Sequence, residues 1–166
     1  MTPAQRPPPS IDPDQLTENF HLREFTRSDT ARERGIDNRP ATAEHRANLK
    51  RHAQVLESIR RWAGGRRVTI HSGYRSPALN AAVKGVANSD HCQGDASDIT
   101  IDGLTARATA QLVAKMVSEG RIKVDQVILE TSRGVVHVST APRLRGQILT
   151  QAGGPGSPVA KGIIGG

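Results

Sequence analysis

The sequence predicts an α+β fold, a small antiparallel sheet with flanking helices, and three patterns lead there. Leu49, Ala53, Leu56, Ile59 and Ala63 recur at steps of three and four, and Ala108, Leu112 and Met116 at steps of four, the spacing of helices with one apolar face. RRVTIHS, ASDITI, QVILE and VVHVST are short runs rich in β-branched residues, which suit strands. The last two flank TSRG, a hairpin arrangement that makes the pair antiparallel. Helices before and between antiparallel strands give α+β rather than alternating βαβ units.

In chain order, residues 1–15 carry Pro3, Pro7, Pro8, Pro9 and Pro13, and so many missing backbone donors favour an extended arm. The globular domain is expected over residues 16–150. Pro40 and Thr42 lead into the first amphipathic helix, which Gly64 and Gly65 stop. RRVTIHS then forms a strand that delivers Tyr74 and Arg75 to its end. Ser76 followed by Pro77 reads as an N-cap and first helical position for ALNAAV. ASDITI is the next strand, and the second amphipathic helix follows it with a stop at Gly120, ahead of the hairpin. Residues 151–166, QAGGPGSPVAKGIIGG, are mostly small residues and turn formers, expected to make a flexible Gly/Pro-rich tail.

With 166 residues and 36% hydrophobic content, the chain suits one domain around one modest core. Aromatics are 2% of residues, so that core is expected to be aliphatic. No apolar run is long enough to span a membrane, and the opening MTPAQRPPPSIDPDQL lacks the charged and then apolar pattern of a secretory signal. Synthesis in the cytoplasm without a signal peptide is therefore expected, and action outside it requires release, for instance at cell lysis. Cys92 is the single cysteine, which excludes an intrachain disulfide. The formal charge of +7 suits a polyanionic partner such as an acidic cell-wall polymer, and equally suits a merely soluble basic surface. Arg32, Arg34, Arg46, Lys50, Arg51, Arg60, Arg61, Arg66 and Arg67 lie dispersed, without stacking aromatics, so no specific nucleic-acid binding is expected.

His91 and Asp98, seven residues apart around Gly94, offer a nitrogen and an oxygen ligand suited to zinc. Seven extended residues span roughly 23 Å, so the chain must fold back between them, and Gly94 is placed for the reversal. In the strand that follows, Ala96, Asp98 and Thr100 share one face and Ser97, Ile99 and Ile101 the other. The same spacing also suits a loop histidine with a turn-capping aspartate. Cys92 directly follows His91, so its side chain is expected to point elsewhere and pack.

The hairpin supplies a third ligand, His137. A loop of two or four residues pairs Glu130 with Val135 and Ile128 with His137, which puts Glu130 and His137 on one face. Diagonal neighbours lie about 7 Å apart, so Glu130 reaches a water near a metal on His137 and can act as general base and then general acid. A three-residue loop would break that register. Arg75 offers a bidentate cation for a carboxylate or a developing oxyanion, or a surface ion pair. Tyr74 and Ser89 are candidate hydrogen-bond donors to substrate. His21, His45, His52 and His71 lack ligand partners, and His45 and His52 share a helical face.

Taken together, SGYRSPALNAAV, SDHCQGDASDI and VVHVS resemble the M15 family of zinc D-Ala-D-Ala carboxypeptidases and related murein endopeptidases, phage lysins among them. LTENFHLREFTRSDTARERGIDNRP is similar to the lead segment of the phage-type branch. The resemblance spans roughly residues 16–145, and its pattern SxHxxGxAxD falls on Ser89, His91, Gly94, Ala96 and Asp98. It implies a D-Ala-D-Ala peptidase fold, hedgehog-like in kind, and a zinc ion held by His91, Asp98 and His137. It further implies that Arg75 binds substrate and stabilises the tetrahedral intermediate and that Ser89 contacts substrate. Many members carry the catalytic acid three residues before the last histidine. That position is Gly134 here, and Glu130, which ends the preceding strand as in the phage-type branch, takes the role. Val136 stands where an aromatic residue often precedes the last histidine, and Lys84 where glycine is common.

The implied activity is zinc-dependent hydrolysis of amide bonds in peptidoglycan stem peptides, by D-Ala-D-Ala carboxypeptidase or L-Ala-D-Glu endopeptidase action. A phage or prophage product fits it, either a free lysin or a virion component in contact with tail or capsid proteins. The alternative is a virion structural or wall-binding module that keeps the fold without efficient catalysis, a reading that Gly134 and the long termini motivate.

Overall fold

Six strands and five helices account for most of residues 12–164, the part of the chain that the computed structural model describes. The strands are β1 (Val68–Ser72), β2 (Ala96–Ile101), β3 (Gln126–Glu130), β4 (Val135–Ser139), β5 (Gln147–Gln151) and β6 (Val159–Lys161). They form one sheet in the order β1-β2-β4-β3-β5-β6. The helices are α1 (Leu22–Thr26), α2 (Asp29–Arg34), α3 (Ala43–Trp62), α4 (Pro77–Ala82) and α5 (Ala106–Ser118), so the α+β class follows as expected. One pair departs from the antiparallel expectation. β4 has already reversed the chain, so β5, lying on the other side of β3, runs parallel to it with Ile128 beside Leu149.

Local signals set the helix starts. The Thr42 side chain accepts from the His45 amide at the head of α3, and Ser76 does the same for Leu79 ahead of Pro77 at the head of α4, each satisfying an amide the first turn leaves unpaired. α3 buries Leu49, Ala53, Leu56 and Ile59 and α5 buries Val113 and Met116, all against Ile99, Ile101, Val127, Leu129, Val136 and Val138 of the sheet. Each such side chain contributes roughly 1.5–3 kcal/mol by leaving water. The core is mainly aliphatic, with Phe20, Phe25 and Tyr74 enclosed in it, while the exposed Trp62 ring is covered by the Arg121 guanidinium at 3.9 Å.

Both expected termini need revision where they are described. Residues 1–11 of the Pro-rich arm lie outside the described residues, but Asp14 is tied to the body, its carbonyl accepting from the Leu22 amide at 2.7 Å and its carboxylate pairing with Arg23. The expected tail after Thr150 contains the end of β5 and the whole of β6, which pairs antiparallel with β5. Thr150 Oγ1 fastens this segment, donating to the Gly162 carbonyl at 2.7 Å and accepting from the Ile164 amide at 3.0 Å. β6 escaped the sequence reading because a three-residue edge strand with exposed ends carries no burial pattern.

β2 divides two environments. Ile99 and Ile101 face the core, and Ser97 beside them meets His52 of α3, which is fully buried. Thr140 Oγ1 donates to the Asp95 carbonyl at 3.2 Å, so it accepts from His52 Nδ1 at 2.9 Å, leaving His52 Nε2 to accept from Ser97 Oγ at 2.7 Å. Burial pushes His52 down to about 3. Above its ordinary value of 6.5 the imidazole is neutral in both folded and unfolded chains, and as pH falls only the unfolded chain takes up the proton, so acid removes stability. The metal-free protein is expected to lose more than about 1 kcal/mol between pH 6.5 and about 5, and His52→Gln to flatten that slope in thermal unfolding. An equally steep slope in the variant would exclude His52 as its source.

Candidate metal centre

His91, Asp98 and His137 come together on the face of β2 opposite the core. Asp98 and His137 are direct partners across the β2–β4 pair, so their side chains rise on the same face, and His137 Nδ1 lies 3.0 Å from Asp98 Oδ1. His91 arrives on a 3-10 turn, Asp90–Gln93, which Ser89 caps by accepting from the His91 amide. Gly94 closes that turn at φ 78°, and a Cβ there would sit 2.7 Å from the His45 carbonyl, so backbone angle and space both require glycine. His91 Nδ1 donates to the Gly73 carbonyl at 2.7 Å, which leaves Nε2 unprotonated and 3.3 Å from Asp98 Oδ1.

The ligand atoms of the three residues lie within 4.8 Å of one another. Tetrahedral ligands about 2.0–2.1 Å from zinc are about 3.3 Å apart, so the separations of 3.0 and 3.3 Å around Asp98 Oδ1 suit such an ion. Two imidazole nitrogens and one carboxylate oxygen also leave one position open, the composition of a catalytic rather than a structural zinc site. Cys92 does not join them, and burial pushes its thiol up, toward the protonated form that ligates poorly.

Asp98 is 1% exposed. Burial alone would raise its carboxyl, but the facing His91 and His137 hold it well below the ordinary range. Its second oxygen is held from the other side, by Arg133 Nη1 at 2.9 Å and Arg75 Nη2 at 3.5 Å. Arg75 is aimed there by its neighbours in the chain, since Asn38 donates to the Tyr74 carbonyl at 2.9 Å and accepts from the Ser76 amide at 2.7 Å. Burial pushes the Arg75 guanidinium down from its ordinary value, Asp98 opposes that, and the group stays a cation.

The hairpin takes the four-residue loop, with Glu130 beside Val135 and Ile128 beside His137, so Glu130 lies on the metal face. Arg133, which the sequence reading passed over as a turn residue, bridges the site, since its Nη1 also donates to Glu130 Oε2 at 2.7 Å. The TSRG loop signalled a turn, but nothing in its spacing shows that Arg133 folds back over the sheet. Ser89, His91, Asp98, Glu130 and His137 all line one cleft of about 540 Å³, together with Arg75 and Arg133. Tyr74 does not join them. The residue is 1% exposed, and its hydroxyl turns toward His45 Nδ1 and the Ala41 amide, both at 3.4 Å, away from this cleft.

A family model described as Peptidase M15 matches residues 18–139. The chain belongs to the peptidase M15 family. No curated protein matches it closely enough to count as a relative. Membership places this M15 chain among the metallopeptidases, in agreement with a His-Asp-His cluster able to bind a metal. Two of its departures from the family pattern have a backbone explanation. Lys84, where glycine is common, has φ 57°, the left-handed conformation glycine takes without strain. Gly134 closes the hairpin at φ 65°, and its amide returns to the Glu130 carbonyl at 2.9 Å, so a carboxylate residue at 134 would be strained in this loop.

After zinc loading and dialysis, the M15 chain is expected to retain one equivalent of metal by elemental analysis. His91→Ala, Asp98→Asn and His137→Ala should each retain less than about a tenth of that. Full stoichiometry in any of the three would remove that residue from the ligand set.

Proposed function

We propose that this M15 chain is a zinc peptidase that hydrolyses amide bonds in peptidoglycan stem peptides. The observation that carries the reading is the convergence of His91, Asp98 and His137 in one cleft with Glu130 on the same sheet face. When bound, zinc supplies Lewis acidity, polarising the scissile carbonyl and acidifying water. Glu130 takes the proton of the attacking water and passes it to the leaving amine nitrogen. Arg133 fixes the Glu130 carboxylate through Oε2, leaving Oε1 for the proton. Arg75, largely buried and held to Ser72 Oγ at 3.1 Å, presents a fixed cation to the charge that develops on the carbonyl oxygen. Ser89 at the cleft wall offers its hydroxyl to the peptide backbone.

The bond cut is either a terminal D-Ala-D-Ala link or an L-Ala-D-Glu link, and mass spectrometry of digested muropeptides distinguishes them. The similarity of the lead segment to phage-type relatives supports a phage or prophage origin, with action on the wall after lysis or from the particle. Among the described residues no helix is long and apolar enough to cross a membrane.

Zinc-loaded protein is expected to release new amino termini from purified peptidoglycan. Glu130→Gln should lower kcat by roughly 10²–10⁴-fold while keeping one equivalent of zinc. Full activity in that variant would exclude Glu130 as the base, and no release by the parent protein would favour a wall-binding module.

A further inference from the structure

A second pair of arginines stands at the other end of the cleft, outside the catalytic roles assigned above. Arg143 and Arg145 both line it and are 48% and 43% exposed. Both are anchored from behind by Asp125, whose side chain is fully buried just ahead of β3. Asp125 Oδ1 accepts from Arg145 Nε at 2.9 Å, and Oδ2 accepts from Arg145 Nη2 at 2.7 Å and from Arg143 Nη2 at 3.0 Å. Asp90 takes Arg143 Nη2 at 2.7 Å and is itself fixed by Ser139 Oγ at 2.6 Å. The hydrogen bonds from Arg145, with help from Arg143, hold the Asp125 carboxyl below the ordinary range.

The two arginines balance the two carboxylates Asp125 and Asp90, yet both guanidinium groups stay half-exposed at the cleft. Leu144, between the two arginines, has φ 44°, a strained conformation for a branched side chain. The bonds to Asp125 use Nε and Nη2 of each guanidinium, and among the described residues neither Nη1 has an acceptor. Two oriented N–H corners therefore remain beside the cleft. Asp125 immediately precedes β3 and Glu130 ends it, so the two charged ends are about 17 Å apart along that strand, a separation that an extended peptide of about five residues spans.

We infer that Arg143 and Arg145 form a carboxylate-recognition subsite that selects stem peptides carrying a free acid, rather than its carboxamide, several ångströms from the scissile bond. The inference rests on the peptidase reading for its substrate class. Arg143 and Arg145 bind, and Asp125 positions them.

The test uses the full chain loaded with zinc and a synthetic stem pentapeptide, which carries both candidate bonds and whose carboxylates are converted to carboxamides one at a time. Binding is measured by calorimetry on the Glu130→Gln protein and turnover on the protein with Glu130 intact. Amidation at one position is expected to raise Kd, and KM, about tenfold, the scale of a half-exposed charge-assisted hydrogen bond, and Arg143→Gln or Arg145→Gln to bring that ratio close to one. Each single replacement leaves one arginine on Asp125, and taking the ratio within each variant cancels any general loss of fold or activity. Arg145→Lys, which keeps the charge but loses the fork, should fall between. The inference is overturned if no amidation changes Kd by more than about twofold, or if the preference persists unchanged in both variants. Acid-selective binding without turnover would leave the subsite standing and overturn the peptidase reading instead.

Discussion

The structure of the site depends on one buried carboxylate whose two oxygens face opposite demands. Asp98 Oδ1 is turned to His91 and His137, and Oδ2 to Arg133 and Arg75. An isolated carboxylate at this depth would cost several kcal/mol of lost hydration, and the two arginines, with the hydrogen bond to His137, offset that cost while fixing its orientation. The same geometry makes a ligand set, because an oxygen held from behind by arginine keeps its partner oxygen aimed at the two imidazoles. Stability and function therefore draw on the same contacts here.

The sheet makes this possible by separating its faces. β2 presents Ile99 and Ile101 to α3 and α5 and Asp98 to the cleft, so a one-residue slip of its pairing with β4 would bury the ligand in the core. The buried His52, bonded to Ser97 and Thr140, pins α3 to β2 and to the residue after β4. Along β3, Gln126, Ile128 and Glu130 line the cleft in turn, which sets the Glu130 carboxylate at one end and the Asp125-anchored arginines at the other.

Much of the site was legible in the sequence, because its parts obey short-range rules. Strand alternation separates Asp98 from Ile99, hairpin register places Glu130 and His137 on one face, and Gly94 provides the left-handed turn that brings His91 back. What escaped depends on long-range contacts. Arg133 reads as a turn residue until the loop folds over Asp98, and Tyr74 reads as a donor until its hydroxyl is found facing His45. Asp125, Arg143 and Arg145 lie on two connections that meet only because β5 runs parallel to β3. β6 lacks a burial pattern altogether, and its place depends on Thr150 and on the exposed edge of β5.

The central claim is that zinc is held by two imidazoles and the free oxygen of Asp98. X-ray absorption spectroscopy of the zinc-loaded protein tests it most directly. The expected spectrum shows four nitrogen and oxygen neighbours at about 2.0–2.1 Å, with the multiple scattering of two imidazole rings. A sulfur neighbour at about 2.3 Å, which only Cys92 or a methionine could provide, or a six-coordinate oxygen shell without imidazole, would contradict it.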